Sequence, residues 1–360
     1  MRILFVSAPL LGHLNPMVPF IQATQDAGHE VRVATGGDAL NGLPDGLASF
    51  DIAPGFDFGR IARKIMLRHP LIARAELSGT GGTRGVALLF GAANDEFTAR
   101  AVAAARTFRP DVIVHEPLAV AGAAAAADRG VPSVVHGNSL FDDAELVRVT
   151  SAALRTETAT PALVLTLAPR SVVGEREGIL MRPLPYSGGG ELPDWLRDGR
   201  PRILVSRSTV AGPGGGGDHM RAVVEAAEGV DVEIVLVRPS DKIKTLPKNV
   251  RTVGRIPLAD AIPHATAIIH HGGASTILDA LGAGVPQLVV PGPGDRRRNA
   301  ELIAARGAGL AVPAKKITTA DLIALVDDST LRDAAREVSE EIAGMPSPAD
   351  RVADVVAVAR

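Results

Sequence analysis

Residues Arg2–Ser7 read RILFVS, and residues Arg202–Ser206 read RILVS. Each is a short apolar run of the kind found in a parallel strand buried on both faces. After the first, a glycine-containing turn leads to Pro16–Ala27, where the apolar residues have helical spacing, and Glu30–Thr35 (EVRVAT) makes the next strand. Strand, turn, helix and strand in that order form the unit of a doubly wound sheet. The order recurs at Asp111–His115 (DVIVH), the alanine-rich helix Ala119–Arg129 and Val131–His136 (VPSVVH). RILVS opens a second series. It comprises a helix over about His219–Glu228, strands at Val232–Val237, Val250–Val253 and Ala267–His270, a helix from about Ser275 to Ala283, and a strand at Gln287–Val290.

Two such series predict two doubly wound α/β domains. The 360 residues exceed one ordinary core and suit two domains, each of about 150–200 residues. Met181–Arg200 carries Pro183, Pro185, Gly188, Gly189, Gly190 and Pro193 among charged residues, which is linker chemistry. The first domain is therefore placed at 1–190 and the second at 191–345. Asp321–Arg360 is helical by pattern and broken at Pro346 and Pro348. A last helix from near Ala349, within 346–360, could cross back to pack on the first domain.

Composition narrows the function. Lys and Arg total 38 against 40 for Asp and Glu, so the chain lacks the basic excess of a nucleic-acid binder. There is no cysteine, which excludes disulfides, thiolate metal sites and cysteine nucleophiles. The opening MRILFVSAPLLGHLNP is apolar, but Gly12, His13, Asn15 and Pro16 interrupt it, and a buried strand is a better reading than a signal peptide. No apolar run reaches the roughly 18 residues of a membrane span, and a cytoplasmic protein with no membrane partner is expected.

The most informative stretch is Ile268–Thr276, IIHHGGAST, followed by ILDALGAGVPQLVVPGPGDRRRNAELIAARGAGL. A buried strand ends at His270, His271 with Gly272 and Gly273 makes a tight turn, and Ser275 and Thr276 fall in the first turn of a helix. Free N–H groups and the positive end of the helix dipole suit a diphosphate there. The glycines allow close backbone approach to phosphate oxygens. His271 could donate a ring N–H and help neutralise a leaving diphosphate without a metal. A plain strand–turn–helix corner capped by Ser275 is the alternative that glycine and serine alone would leave standing.

The block resembles the donor-binding signature of the GT-B glycosyltransferases, the family that includes antibiotic, macrolide and plant secondary-metabolite glycosyltransferases. It matches at His271, Gly272, Gly273, Thr276, Gly284, Pro286, Gln287, Pro291, Asp295, Asn299 and Ala300. GHLNP near the start, NVRTVGRIP before the motif and MPSPAD near the end extend the resemblance over nearly the whole chain. It is strongest to actinobacterial enzymes that place deoxysugars on polyketides and enediynes, such as those of calicheamicin and urdamycin assembly. The resemblance implies a GT-B fold, with two facing Rossmann-like domains and a cleft between them. It implies that His271, Gly272, Gly273, Ser275 and Thr276 hold the donor diphosphate, and that Arg255 and Ile256 lie against the nucleobase. Arg255 stands where relatives often carry Trp. Asp295 should face the sugar hydroxyls, while Arg296 replaces its usual Gln neighbour and points to an altered donor. Ser208 and Thr209, in SRST, stand in for the loop beside sugar and phosphates.

On the acceptor side, His13 in Gly12-His13-Leu14-Asn15-Pro16 follows the first strand, at the edge where a doubly wound sheet places ligands. It matches the family element whose histidine is the general base. Its alternative is a cap of the helix entered at Pro16. An imidazole base works best with a carboxylate fixing its tautomer. Glu116, after DVIVH, is the candidate, with His115 on the opposite face. Met66, Leu67, Leu71, Leu89 and Phe90 would line an apolar acceptor pocket or simply be core.

The implied reaction is an inverting transfer of a deoxysugar, dTDP-linked by family habit, to a natural-product aglycone, with no cofactor or metal. A homodimer is left open. Three rivals remain. A dinucleotide-dependent oxidoreductase lacks its G-x-G-x-x-G turn here. A nucleotide-sugar 2-epimerase would carry more charged groups in the first domain. A helper paralogue would bind and activate a partner transferase.

Overall fold

The computed structural model describes residues 1–208, 218–240, 243 and 245–359. The chain divides into two units. One comprises Met1–Glu76, Gly81–Gly188 and Met345–Arg360, and the other Leu77–Thr80 and Gly189–Gly344.

In the first unit the strands are β1 (Arg2–Val6), β2 (Glu30–Thr35), β3 (Ser49–Asp51), β4 (Val112–His115), β5 (Ser133–His136), β6 (Leu163–Thr166) and β7 (Ile179–Leu180). They pair in the order β3-β2-β1-β4-β5-β6-β7, every pair parallel. The order reverses between β1 and β4, where Val6 lies level with His115. Strand β5 begins at Ser133 rather than Val131, because Pro132 has no N–H for the ladder. The helix read over Pro16–Ala27 is broken. A single turn, Leu11–Leu14, and a 3₁₀ turn, Asn15–Met17, precede the helix Val18–Asp26, since Pro16 and Pro19 cannot donate within a continuous helix. The stretch hardest to read from sequence is helical. It contains Phe58–Arg68, Pro70–Leu77 and the long Gly82–Phe108, which packs against Ala121–Arg129 and Asp143–Ala153. Small residues permit that approach: a Cβ on Gly91 would meet Cβ of Ala153 at 2.7 Å. The last helix, Pro348–Val358, starts in a capping box of Ser347 and Asp350 and packs on Val18–Asp26.

The second unit repeats the plan with β8 (Arg202–Val205), β9 (Glu233–Val237), β10 (Val250–Val253), β11 (Ala267–His270), β12 (Gln287–Val289) and β13 (Gly309–Ala311). Their order is β10-β9-β8-β11-β12-β13, again all parallel. Each strand alternates its side chains between two faces. Ile203, Val205, Ile234, Leu236 and Ile269 join one apolar cluster, and Leu204, Val235 and Ile268 the other. Burial on both faces is why these strands read as continuous apolar runs.

Candidate active site

Ligands of an open parallel sheet bind beyond its carboxyl edge, where the strand order reverses. In the first sheet this is the end of β1 and β4, and His13 and Glu116 follow those two strands. The Leu11–Leu14 turn carries His13, so the glycine-containing turn read from sequence includes a short helix. Its Nδ1 is 3.1 Å from Oε1 of Glu116. Glu116 is fully buried. Besides His13, its carboxylate accepts from the N–H of Ala8 (3.2 Å), the N–H of Leu118 (2.8 Å) and Nδ2 of Asn138 (3.2 Å). Burial alone would raise its pKa. The nearby charge of His13 and the hydrogen bonds from His13, Leu118 and Ala8 outweigh burial and hold it below the ordinary carboxylate value. An ionised carboxylate only accepts, so Nδ1 of His13 carries a proton, and in the neutral ring the lone pair is at Nε2.

Asn138, not singled out from sequence, completes this carboxylate's partners. Its only local signal was its position just past the strand Ser133–His136. Phe90 lies beside the imidazole, with ring centroids 5.3 Å apart. Leu67 and Leu71, by contrast, are 84% and 83% exposed and are not core. His115 faces away, its Nδ1 on the Glu116 carbonyl (3.0 Å) and its Nε2 on Oγ of Ser133 (2.9 Å).

In the second sheet the order reverses between β8 and β11, and the HHGG turn leaves β11 there. His270, fully buried, donates from Nε2 to Oε1 of Gln287 (2.9 Å) and accepts the Gly272 N–H at Nδ1 (3.1 Å). It is thus the strut of the turn. Gly272 has φ +85°, and a Cβ on Gly273 would meet Nε2 of His271 at 2.8 Å, so the imidazole lies over the bare glycine. Gly273 is the N-cap of Ala274–Gly282 and supplies no side-chain cap, with Ser275 and Thr276 half-buried in the first turn. Ser275 is therefore inside the helix and is not its cap. Nδ1 of His271 is buried without a hydrogen-bond partner.

Burial first, and then the charges of Arg296, His270, His219 and Arg238, hold the His271 pKa well below 6.5. The ring is neutral in the unliganded chain. It can donate one N–H, as expected from the sequence, and the fixed charge nearby belongs to arginine. Asn299 ties the loop together, donating from Nδ2 to Gly272 O and to Oδ2 of Asp295 (both 2.9 Å). Nη2 of Arg296 reaches Oγ of Ser208 at 3.4 Å. Ser208, Asp295, Arg296 and the glycine turn are thereby brought together. Thr209 lies outside the described residues.

The nucleobase pair separates. Arg255 is exposed, but Ile256 is buried in the cluster of Leu192, Leu196 and Val237. Its side chain is committed to the core, which leaves only its backbone for a base. Among the described residues, no group of three or more His, Cys, Asp or Glu could hold a metal ion, and no helix is long and apolar enough to cross a membrane.

Comparison with known proteins places these features in a family. Residues 22–208 match the erythromycin biosynthesis protein CIII-like N-terminal domain and residues 221–358 its C-terminal domain. The elloramycin glycosyltransferase ElmGT of Streptomyces olivaceus is 35% identical, over 97% of this chain and 95% of its own. The crystal structure of the glycosyltransferase SnogD from Streptomyces nogalater superposes with a TM-score of 0.82 at 33% identity, covering 99% of both chains. The glycosyltransferase VinC in complex with dTDP gives 0.80 at 28% identity, covering 100% of this chain and 99% of its own. The two parallel-sheet domains are those of GT-B glycosyltransferases. The chain belongs to the erythromycin biosynthesis protein CIII-like family, and it is a glycosyltransferase.

Proposed function

We propose that the chain transfers a deoxysugar from a dTDP-linked donor to a natural-product aglycone, with inversion at the anomeric carbon. His13 takes the acceptor hydroxyl proton at Nε2 as the acceptor oxygen attacks. The nucleoside diphosphate departs from the opposite face with the electron pair of the glycosyl C–O bond. The imidazolium that forms is stabilised by Glu116. The leaving diphosphate is held by the His271–Gly273 turn, the first-turn N–H groups and the hydroxyls of Ser275 and Thr276, without a metal. Ser208, Asp295 and Arg296 contact sugar and phosphate, and Arg255 with the Ile256 backbone meets the base.

The observation carrying this reading is the His13–Glu116 contact, in which a buried carboxylate with four donors fixes one imidazole tautomer. The dTDP in the VinC complex supports the choice of nucleotide. The test is nucleoside diphosphate release from a panel of dTDP- and UDP-sugars with candidate aglycones. His13→Ala should lower kcat by about 10²–10⁴-fold, with the affinity for dTDP unchanged. A His13→Ala enzyme of full activity would exclude the base. Donor binding without turnover across the panel would instead support a helper that activates a partner transferase.

A further inference from the structure

Three neighbouring strands of the second sheet are followed by cationic or imidazole side chains. Strand β8 lies between β9 and β11, with Val205 level with both Leu236 and Ile269. Arg207, Arg238 and His271 follow these three strands at the carboxyl edge of the sheet, and Arg238 is close enough for its charge to act on the His271 ring.

The arginines are held in place. Arg238 adopts φ +53°, a left-handed conformation that a non-glycine residue seldom takes, while its N–H stays bonded to Val253 O at 2.8 Å. Its Nη2 donates to the Arg207 carbonyl at 3.3 Å. Nε of Arg207 is buried with no hydrogen-bond partner. Arg296 approaches from the other side through Ser208 and packs its Cβ against Gly272. Burial, and then the charges of Arg207 and Arg255, lower the Arg238 pKa. Burial likewise lowers that of Arg296, against Asp295. Like charges gathered in a partly desolvated site repel one another, and a polyanion relieves that repulsion.

We propose that Arg207 and Arg238 are nucleotide-binding residues that, with Arg296, neutralise the diphosphate of the donor and retain the nucleoside diphosphate product. The inference rests on the donor-site reading above and adds to it two residues outside the HHGG motif. When the glycosyl C–O bond breaks, its electron pair stays on the diphosphate oxygen and the ligand gains one negative charge. An arginine row therefore holds the product more tightly than the donor, and does so while His271 stays neutral.

The test is calorimetric titration of the full chain with dTDP at 50 and 300 mM NaCl. Wild type should bind about tenfold more weakly at the higher salt, because screening weakens each charge contact. Arg207→Gln and Arg238→Gln should each raise the Kd at low salt by about tenfold or more and flatten the salt dependence. Arg238→Lys should keep the salt dependence, and a thermal melt of each variant checks that it is folded. Wild-type Kd and salt dependence in both glutamine variants would overturn the proposal, as would salt-independent binding by wild type or loss of the salt dependence in folded Arg238→Lys. A wild-type chain that binds neither dTDP nor UDP would instead remove the donor-site reading itself, and this inference with it.

Discussion

Asn138 reaches Oε2 of Glu116 while His13 takes Oε1. A carboxylate gripped on both oxygens cannot rotate, so the imidazole it orients keeps Nε2 aimed in one direction. Hydrogen bonds to a charged group contribute about 1.5–3 kcal/mol, of which about 1.4 kcal/mol is a factor of ten in rate. Asn138→Ala is therefore expected to lower kcat roughly tenfold while leaving the donor KM unchanged, because the proposed donor site lies in the second unit. Steady-state kinetics with varied donor check this, and an unchanged kcat would remove Asn138 from the machinery. His13 and Glu116 were both legible in sequence, since Glu116 directly follows a strand and His13 lies in the short connection after one. Asn138 was not, because only pairing of β4 with β5 brings it beside Glu116.

At the level of elements, the proposed donor turn is a strand end, a glycine pair and a helix start braced from three sides. His270 braces it from below, Asn299 from the following helix, and the His271 ring covers Gly273. A methyl group on Gly273 would sit 2.8 Å from Nε2 of His271. Since φ at Gly273 is −68°, the backbone itself accepts alanine. Gly273→Ala should thus displace the imidazole without unfolding the chain. It is expected to weaken dTDP binding about tenfold, roughly 1.4 kcal/mol, with little change in melting temperature. Calorimetry and a thermal melt together check both parts, and unchanged affinity would show that the ring is not a ligand. The turn and its helix were readable from spacing. The broken helix after β1 was not, because two prolines split a pattern whose apolar periodicity is continuous.

Across the whole molecule, buried titratable groups set the response to acid. His136 and His270 are fully buried, and burial pushes both down to about 4. Burial also lowers His115 and His271. An unfolded chain takes up protons at these four imidazoles below pH about 6.5, where the folded chain does not. Stability due to them is complete above pH 6.5 and is lost as pH falls towards 4. Asp143 and Asp279, raised by burial to about 7, act in the opposite sense over much of the same window. The imidazoles outnumber these carboxyls. The denaturant midpoint should accordingly fall between pH 6.5 and 4.5, by less than four histidines alone would give. A midpoint that rises on acidification would contradict this balance.

The sequence by itself determined two doubly wound α/β domains, because strands buried on both faces must be continuously apolar and crossover helices must follow them. It also determined the HHGG turn, which depends on contiguous residues, and pointed to His13, in the connection after the first strand, as the candidate base. Only the tertiary structure decided what lies beside those residues. Glu116 meets His13 and Asn138 through the pairing of β1, β4 and β5. Ile256 turns into the core while Arg255 stays exposed. Arg238 reaches the Arg207 carbonyl because β8 and β9, which precede them, are neighbours in the sheet. Local pattern encodes which face of an element is buried, whereas proximity between strand ends far apart in sequence exists only once the strands have paired.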